Sequence, residues 1–186
     1  MRQVWLVFGA VVLMGAAGAI VLWQGAREEE PATASFGFQD WSVRCQVTAG
    51  ASGCGLTQQV VDARLGGPVL QLTMVATPSG KGKLAIVVPL GVSVPDGVTL
   101  QVDDLTRRMD YAQCLSGGCV ALLDADGELI DKMKAGGDTR VGVVDRTGAP
   151  VAVPVSLKGF APAYETMRSK SGGGSGDAWW TAWINK

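Results

Sequence analysis

"WSVRCQVTAGASGCGL", residues 41–56, decides how the chain is read. Trp41, Val43, Cys45 and Val47 alternate with Ser42, Arg44 and Gln46. A period of two puts one set of side chains on one face of a strand, so this stretch reads as a half-buried β-strand. The segment "QVTAGASG" then joins Cys45 to Cys54. Its small residues and glycines permit a sharp reversal, and the next strand is read from Leu56.

Further strands follow at short spacing. Leu56 to Val61 and Val69 to Val75 flank the turn "LGGP". "KLAIVVPLG" (residues 83–91) is continuously apolar, as expected of a strand covered on both faces. Val98, Leu100 and Val102 alternate after "PDG"; Cys119 to Leu123, Val141 to Val144 and Val151 to Val155 complete the set. "DADG" (124–127) and "DRTGAP" (145–150) read as turns. "GELIDKMKAGG" reads as a helix with Leu129, Ile130 and Met133 on one face and a stop at Gly136-Gly137. "SLKGFAPAYETMRS" reads as a second, with Ser156 as N-cap and Phe160, Ala163 and Met167 on one stripe. The fold expected is mainly β, a sandwich or barrel-like domain with two short helices, preceded by one transmembrane helix.

That leading helix is read from Val4 to Trp23, a run without charge. About twenty helical residues cover roughly 30 Å, one hydrocarbon thickness. Trp5 and Trp23 stand at its ends, where indoles favour the lipid–water boundary. Arg2 before the run and Glu28-Glu29-Glu30 after it orient the N-terminus toward the cytoplasm. Ala32-Thr33-Ala34 has the small-x-small form of a peptidase site, but it lies beyond Arg27 and the glutamates, far from the apolar run. A retained signal anchor is therefore expected; cleavage and a periplasmic or secreted domain is the alternative.

The cysteines form two close pairs, Cys45 with Cys54 and Cys114 with Cys119. Neither has Cys-x-x-Cys spacing, and an exported domain meets an oxidising compartment. Of three connectivities, local pairing closes the shortest loops and contributes about 2–3 kcal/mol per bridge on the chain-entropy model. A four-cysteine zinc site is the competing arrangement.

Net charge is −1 and the chain has no histidine. Scattered Lys and Arg give no stripe for phosphates, so nucleic acid is not an expected partner. Imidazole catalysis and His-ligated metals are excluded. Ser52, Ser93, Ser116 and Ser156 have no His to activate them, and Ser156 with Lys158 reads as a cap rather than a Ser–Lys pair. Asp103-Asp104 reads as a solvated turn, "SGKGK" (79–83) as a hairpin tip, and the "DADG" carboxylates lack the later ligand of a calcium loop. No catalytic residue, cofactor, metal or small-molecule substrate is expected.

In order and spacing, "FGFQDWSVRC", "CGLTQQ", "PLGVSVPDGVTLQVDD", the Cys-x4-Cys pair, "ELIDKMKAGG" and "VPVSLKGFAPA" resemble the invasion-associated locus B family of Gram-negative bacteria, from about Phe36 to Ala163. The resemblance implies an extracytoplasmic, mainly β domain with an N-terminal export signal. It also implies a family named for host-cell invasion, most members of which have no defined biochemical activity.

A Gly/Ser tether, residues 169–177, leads to "AWWTAWINK", which holds three of the chain's six tryptophans. Trp179, Trp180, Trp183 and Ile184 would share one side of a short helix. Membrane lipid, a partner groove and the chain's own domain are the three homes for that face. The organisation expected is an anchor (1–25), a stalk (26–35), a β domain (36–168), a linker (169–177) and a Trp-rich tail (178–186). The function expected is non-enzymatic: a single-pass inner-membrane protein with its domain in the periplasm, acting as an accessory or assembly subunit of a larger inner-membrane complex. A secreted or envelope-associated invasion factor is the alternative, and a periplasmic hydrolase the remote one.

Overall fold

The computed structural model describes residues 32–48, 51–63, 66–77 and 81–171. Among them are eleven strands and two helices: β1 (Ala32–Phe38), β2 (Trp41–Thr48), β3 (Ala51–Asp62), β4 (Gly67–Ala76), β5 (Gly82–Val88), β6 (Val98–Val102), β7 (Leu105–Met109), β8 (Tyr111–Leu115), β9 (Gly118–Ala125), α1 (Gly127–Ala135), β10 (Thr139–Val144), β11 (Pro150–Val155) and α2 (Phe160–Lys170). The strands form two antiparallel sheets, one of seven strands in the order β1-β2-β3-β4-β5-β9-β8 and one of four in the order β11-β10-β6-β7. The mainly β, sandwich-like expectation with two short helices is met. The apolar run at residues 4–23 lies outside the described residues; among those described, no helix is long and apolar enough to cross a membrane.

The period-two pattern of β2 behaves as the side chains require. Trp41, Val43 and Cys45 are buried while Arg44 and Gln46 are exposed. In β6, Val98, Leu100 and Val102 supply the facing side of the core. β5 sits between β4 and β9, and both its faces are covered near Leu84, Ala85 and Ile86, which is why its sequence is apolar without alternation.

Helix α1 starts where the Asp126 carboxylate accepts Leu129 N–H at 2.9 Å and ends at Gly136, φ +82°. "DADG" is therefore the end of β9 followed by an N-cap, not a free turn. Helix α2 corrects the expected Ser156 cap: it begins after Gly159, φ +86°, with no side-chain cap. Here glycine is required twice over. A Cβ would stand 2.0 Å from the Phe38 carbonyl oxygen, and the left-handed backbone disfavours any other residue. Phe160, Ala163, Tyr164 and Met167 are buried, and α2 packs on β2 and β3. Phe160 meets Trp41 edge-on with ring centroids 5.1 Å apart.

Two boundaries differ from those read in the sequence. β1 begins at Ala32, so Ala32-Thr33-Ala34 belongs to a strand, in register with Val47, Gln46 and Cys45. At the other end α2 continues to Lys170, past the expected start of the linker.

Candidate functional site: a cleft at the mouth of the sandwich

Cys45 and Cys54 are directly opposed across the β2–β3 hairpin and joined by a disulfide; so are Cys114 and Cys119 across β8–β9. The local pairing holds, and the zinc arrangement is ruled out because all four sulfurs are in disulfides. The bridges pin register in two hairpins.

The expected acidic spots are structural. Asp103 and Asp104 form the two-residue turn between β6 and β7, with Asp103 at φ +51°. Asp103 exchanges two bonds with Asp138: its N–H donates to the Asp138 carbonyl (2.8 Å) and its Oδ1 accepts the Asp138 N–H (2.9 Å). Asp104 pairs with Lys132, and that hydrogen bond holds its carboxyl below the usual range. Asp126 is lowered chiefly by the Leu129 N–H it caps, with Arg107 assisting at 3.3 Å. Glu165 is lowered by its bond from Lys134. These groups hold α1 and α2 to their surroundings. Trp5, Trp23, Trp179, Trp180, Trp183 and Ile184 lie outside the described residues.

A different group comes together between β3 of one sheet and the end of β11 of the other. Asp40 in the β1–β2 turn, Gln58 to Val61 on β3, and Pro154 and Ser156 at the end of β11 line a cleft of about 360 Å³. Its polar side chains form one network. Trp41 Nε1 and Gln58 Nε2 both donate to the Ser156 carbonyl, at 2.8 and 2.9 Å. Ser156 Oγ donates to Asp40 Oδ2 at 2.6 Å and accepts the Lys158 N–H at 3.2 Å. Ser156 is thus tied to Asp40 and to the backbone ahead of α2, not to the Lys158 side chain.

Gln58 is the unusual member. It is only 4% exposed, and its Oε1 has no hydrogen-bond partner. Turning the amide over does not help, because Oε1 would then face the Ser156 carbonyl, acceptor against acceptor. A buried orphan acceptor costs about 1–3 kcal/mol. The rim is mixed: Asp40 and Gln59 are exposed, Val60 is half-buried and Val61 is 60% exposed. One trace of this site was available in the sequence, since Gln58 occupies the inward phase of β3 between Leu56 and Val60. Its partners Asp40 and Ser156 carry no such mark.

The comparisons with known proteins bear on the whole domain. The family described as "Invasion associated locus B (IalB) protein" matches residues 41–168. Two proteins of Brucella abortus, each named an invasion protein B homolog (strain 2308 and biovar 1 strain 9-941), are 28% identical over 134 residues, covering 71% of this chain and 78% of theirs. The crystal structure of invasion associated protein B from Bartonella henselae superimposes with a TM-score of 0.68 at 22% identity, covering 73% of this chain and 95% of that one. That likeness shows a shared fold. The family match runs from the first residue of β2 into the last turns of α2 and so includes both disulfide hairpins, every strand but β1 and most of the cleft: the chain belongs to the invasion associated locus B family.

Proposed function

We propose that this family member is a non-enzymatic, membrane-anchored periplasmic protein that works by protein–protein association, as an accessory or assembly subunit of an inner-membrane complex. The cleft is the observation that carries the reading. Its polar groups are tied to one another, and its rim presents exposed valine beside an unmatched acceptor, a combination suited to contact with another molecule. The uncharged run Val4 to Trp23 supports the anchor. The placement of Ala32-Thr33-Ala34 in β1 supports retention, since a cut after Ala34 would remove three residues of a paired strand.

A second reading, a secreted or envelope-associated invasion factor, is favoured by the names of the Brucella and Bartonella relatives. Mild detergent extraction, native co-purification and intact-mass measurement separate the two. Full-length mass in the membrane fraction with a stoichiometric partner is the expected result. A mature chain beginning at Ser35 in the soluble fraction overturns the anchored reading in favour of the second.

A further inference from the structure

We propose that the Asp40–Gln58 cleft receives the cationic side chain of a lysine or arginine from a partner protein, an inference that rests on the association reading above. The cleft holds two acceptors that its own network leaves unmatched, beside the exposed amide of Gln59. The indole N–H of Trp41, one N–H of the Gln58 amide and the hydroxyl of Ser156 are engaged within the network. The acceptor capacity consists of the buried orphan Gln58 Oε1 and, at the surface, the exposed Asp40 carboxylate. A ligand that brings donors matches these acceptors, and a positive charge is matched by Asp40.

The walls select the rest of the ligand. Val60, Val61 and Pro154 flank the acceptors, so an aliphatic stem gains apolar contact while its head reaches the carboxylate. Lysine and arginine combine such a stem with a donor-only, cationic head. A volume of about 360 Å³ stands at the small end of the roughly 300–1,000 Å³ typical of ligand sites, which fits one side chain rather than a folded element. The Gln58 orphan gives the site a reason to be filled, because pairing it relieves a desolvation cost already present in the free protein.

The test uses the full-length chain in detergent, labelled with 15N and titrated with N-acetyl-arginine amide, with N-acetyl-norleucine amide as the uncharged control. Saturable shifts at the Gln58 side-chain amide and the Asp40 backbone amide are expected with the arginine probe alone. Asp40→Asn keeps an acceptor for Ser156 but removes the charge, so thermal stability should be nearly unchanged while probe affinity falls about tenfold. No saturable response, or equal responses to both probes, overturns the assignment. The same variant is then carried through native co-purification. A complex weakened by Asp40→Asn supports the inference. A complex retained at undiminished yield overturns the cleft as the contact and leaves the association reading standing. If the unmodified chain purifies without any partner, the association reading falls, and with it the assignment of a partner's side chain, whatever the probe does.

Discussion

Trp41 and Ser156 are 115 residues apart in the chain, yet the indole Nε1 lies 2.8 Å from the Ser156 carbonyl. This bond ties the start of β2 to the junction between β11 and α2. Gln58 donates to the same oxygen, so three distant segments meet on one atom. Trp41→Phe removes one donor and shrinks a fully buried side chain. The expected loss is about 2 kcal/mol, read by urea unfolding. Gln58→Leu combined with it should show a coupling of at least about 0.5 kcal/mol in a double-mutant cycle, because both donors share one acceptor. Strict additivity would contradict a shared role.

The two disulfides should differ in their worth. On chain entropy alone each contributes about 2–3 kcal/mol, slightly more for the longer loop. Cys45 and Cys54 are also both in the core, whereas Cys114 is exposed. Replacing Cys45 and Cys54 together by Ala should therefore lower the urea midpoint further than replacing Cys114 and Cys119. A difference of no more than about 0.5 kcal/mol would show that loop closure is the whole effect.

Gly136 and Gly159 have nearly the same backbone angle, φ +82° and +86°, and different surroundings. A Cβ at Gly136 meets nothing within 4 Å, while one at Gly159 stands 2.0 Å from the Phe38 oxygen. Gly136→Ala should cost only the left-handed strain, about 1–2 kcal/mol. Gly159→Ala adds a backbone clash and should cost at least about 3 kcal/mol or prevent folding. Thermal midpoints of the two variants make the comparison.

Stability should fall in acid through the carboxylates that hold the helices. Asp126, Asp104 and Glu165 have folded pKa values below their ordinary ones. A depressed value contributes stability that is fully present above the ordinary pKa, near 3.8 for Asp, and is lost as pH falls through the folded value. Unfolding midpoints measured from pH 6 downward should therefore hold steady and then drop below about pH 4. Asp126→Asn retains a capping oxygen and should flatten part of that drop. Asp126→Ala should cost about 1 kcal/mol at neutral pH through loss of the cap.

The strands that escaped the sequence reading have something in common. β1, β7 and β8 were not expected, and all three lie at sheet edges. β1 (ATASFGF) is mostly small residues; β7 (LTRRM) carries two arginines; β8 (YAQCL) has a register shift against β9. An edge strand pairs on one side only and buries little, so it needs no strong apolar alternation. The interior strands β2, β5 and β6 must bury a face and therefore display it in their order of residues. The α1 boundaries were also visible, through Leu129, Ile130, Met133 and the Gly136 stop. The start of α2 was misplaced because Ser156 turns to Asp40, a partner more than a hundred positions earlier.

By itself the order of residues determined whatever is local: strand and helix periods, hairpin turns, and two disulfides whose cysteines are neighbours across a single reversal. Only the folded chain decided that Asp40, Trp41, Gln58 and Ser156 share one site, and that Asp103 folds back on Asp138. Periodicity reports which face of an element is buried. It carries no record of which distant group a polar side chain will find there, because that depends on how the two sheets are stacked.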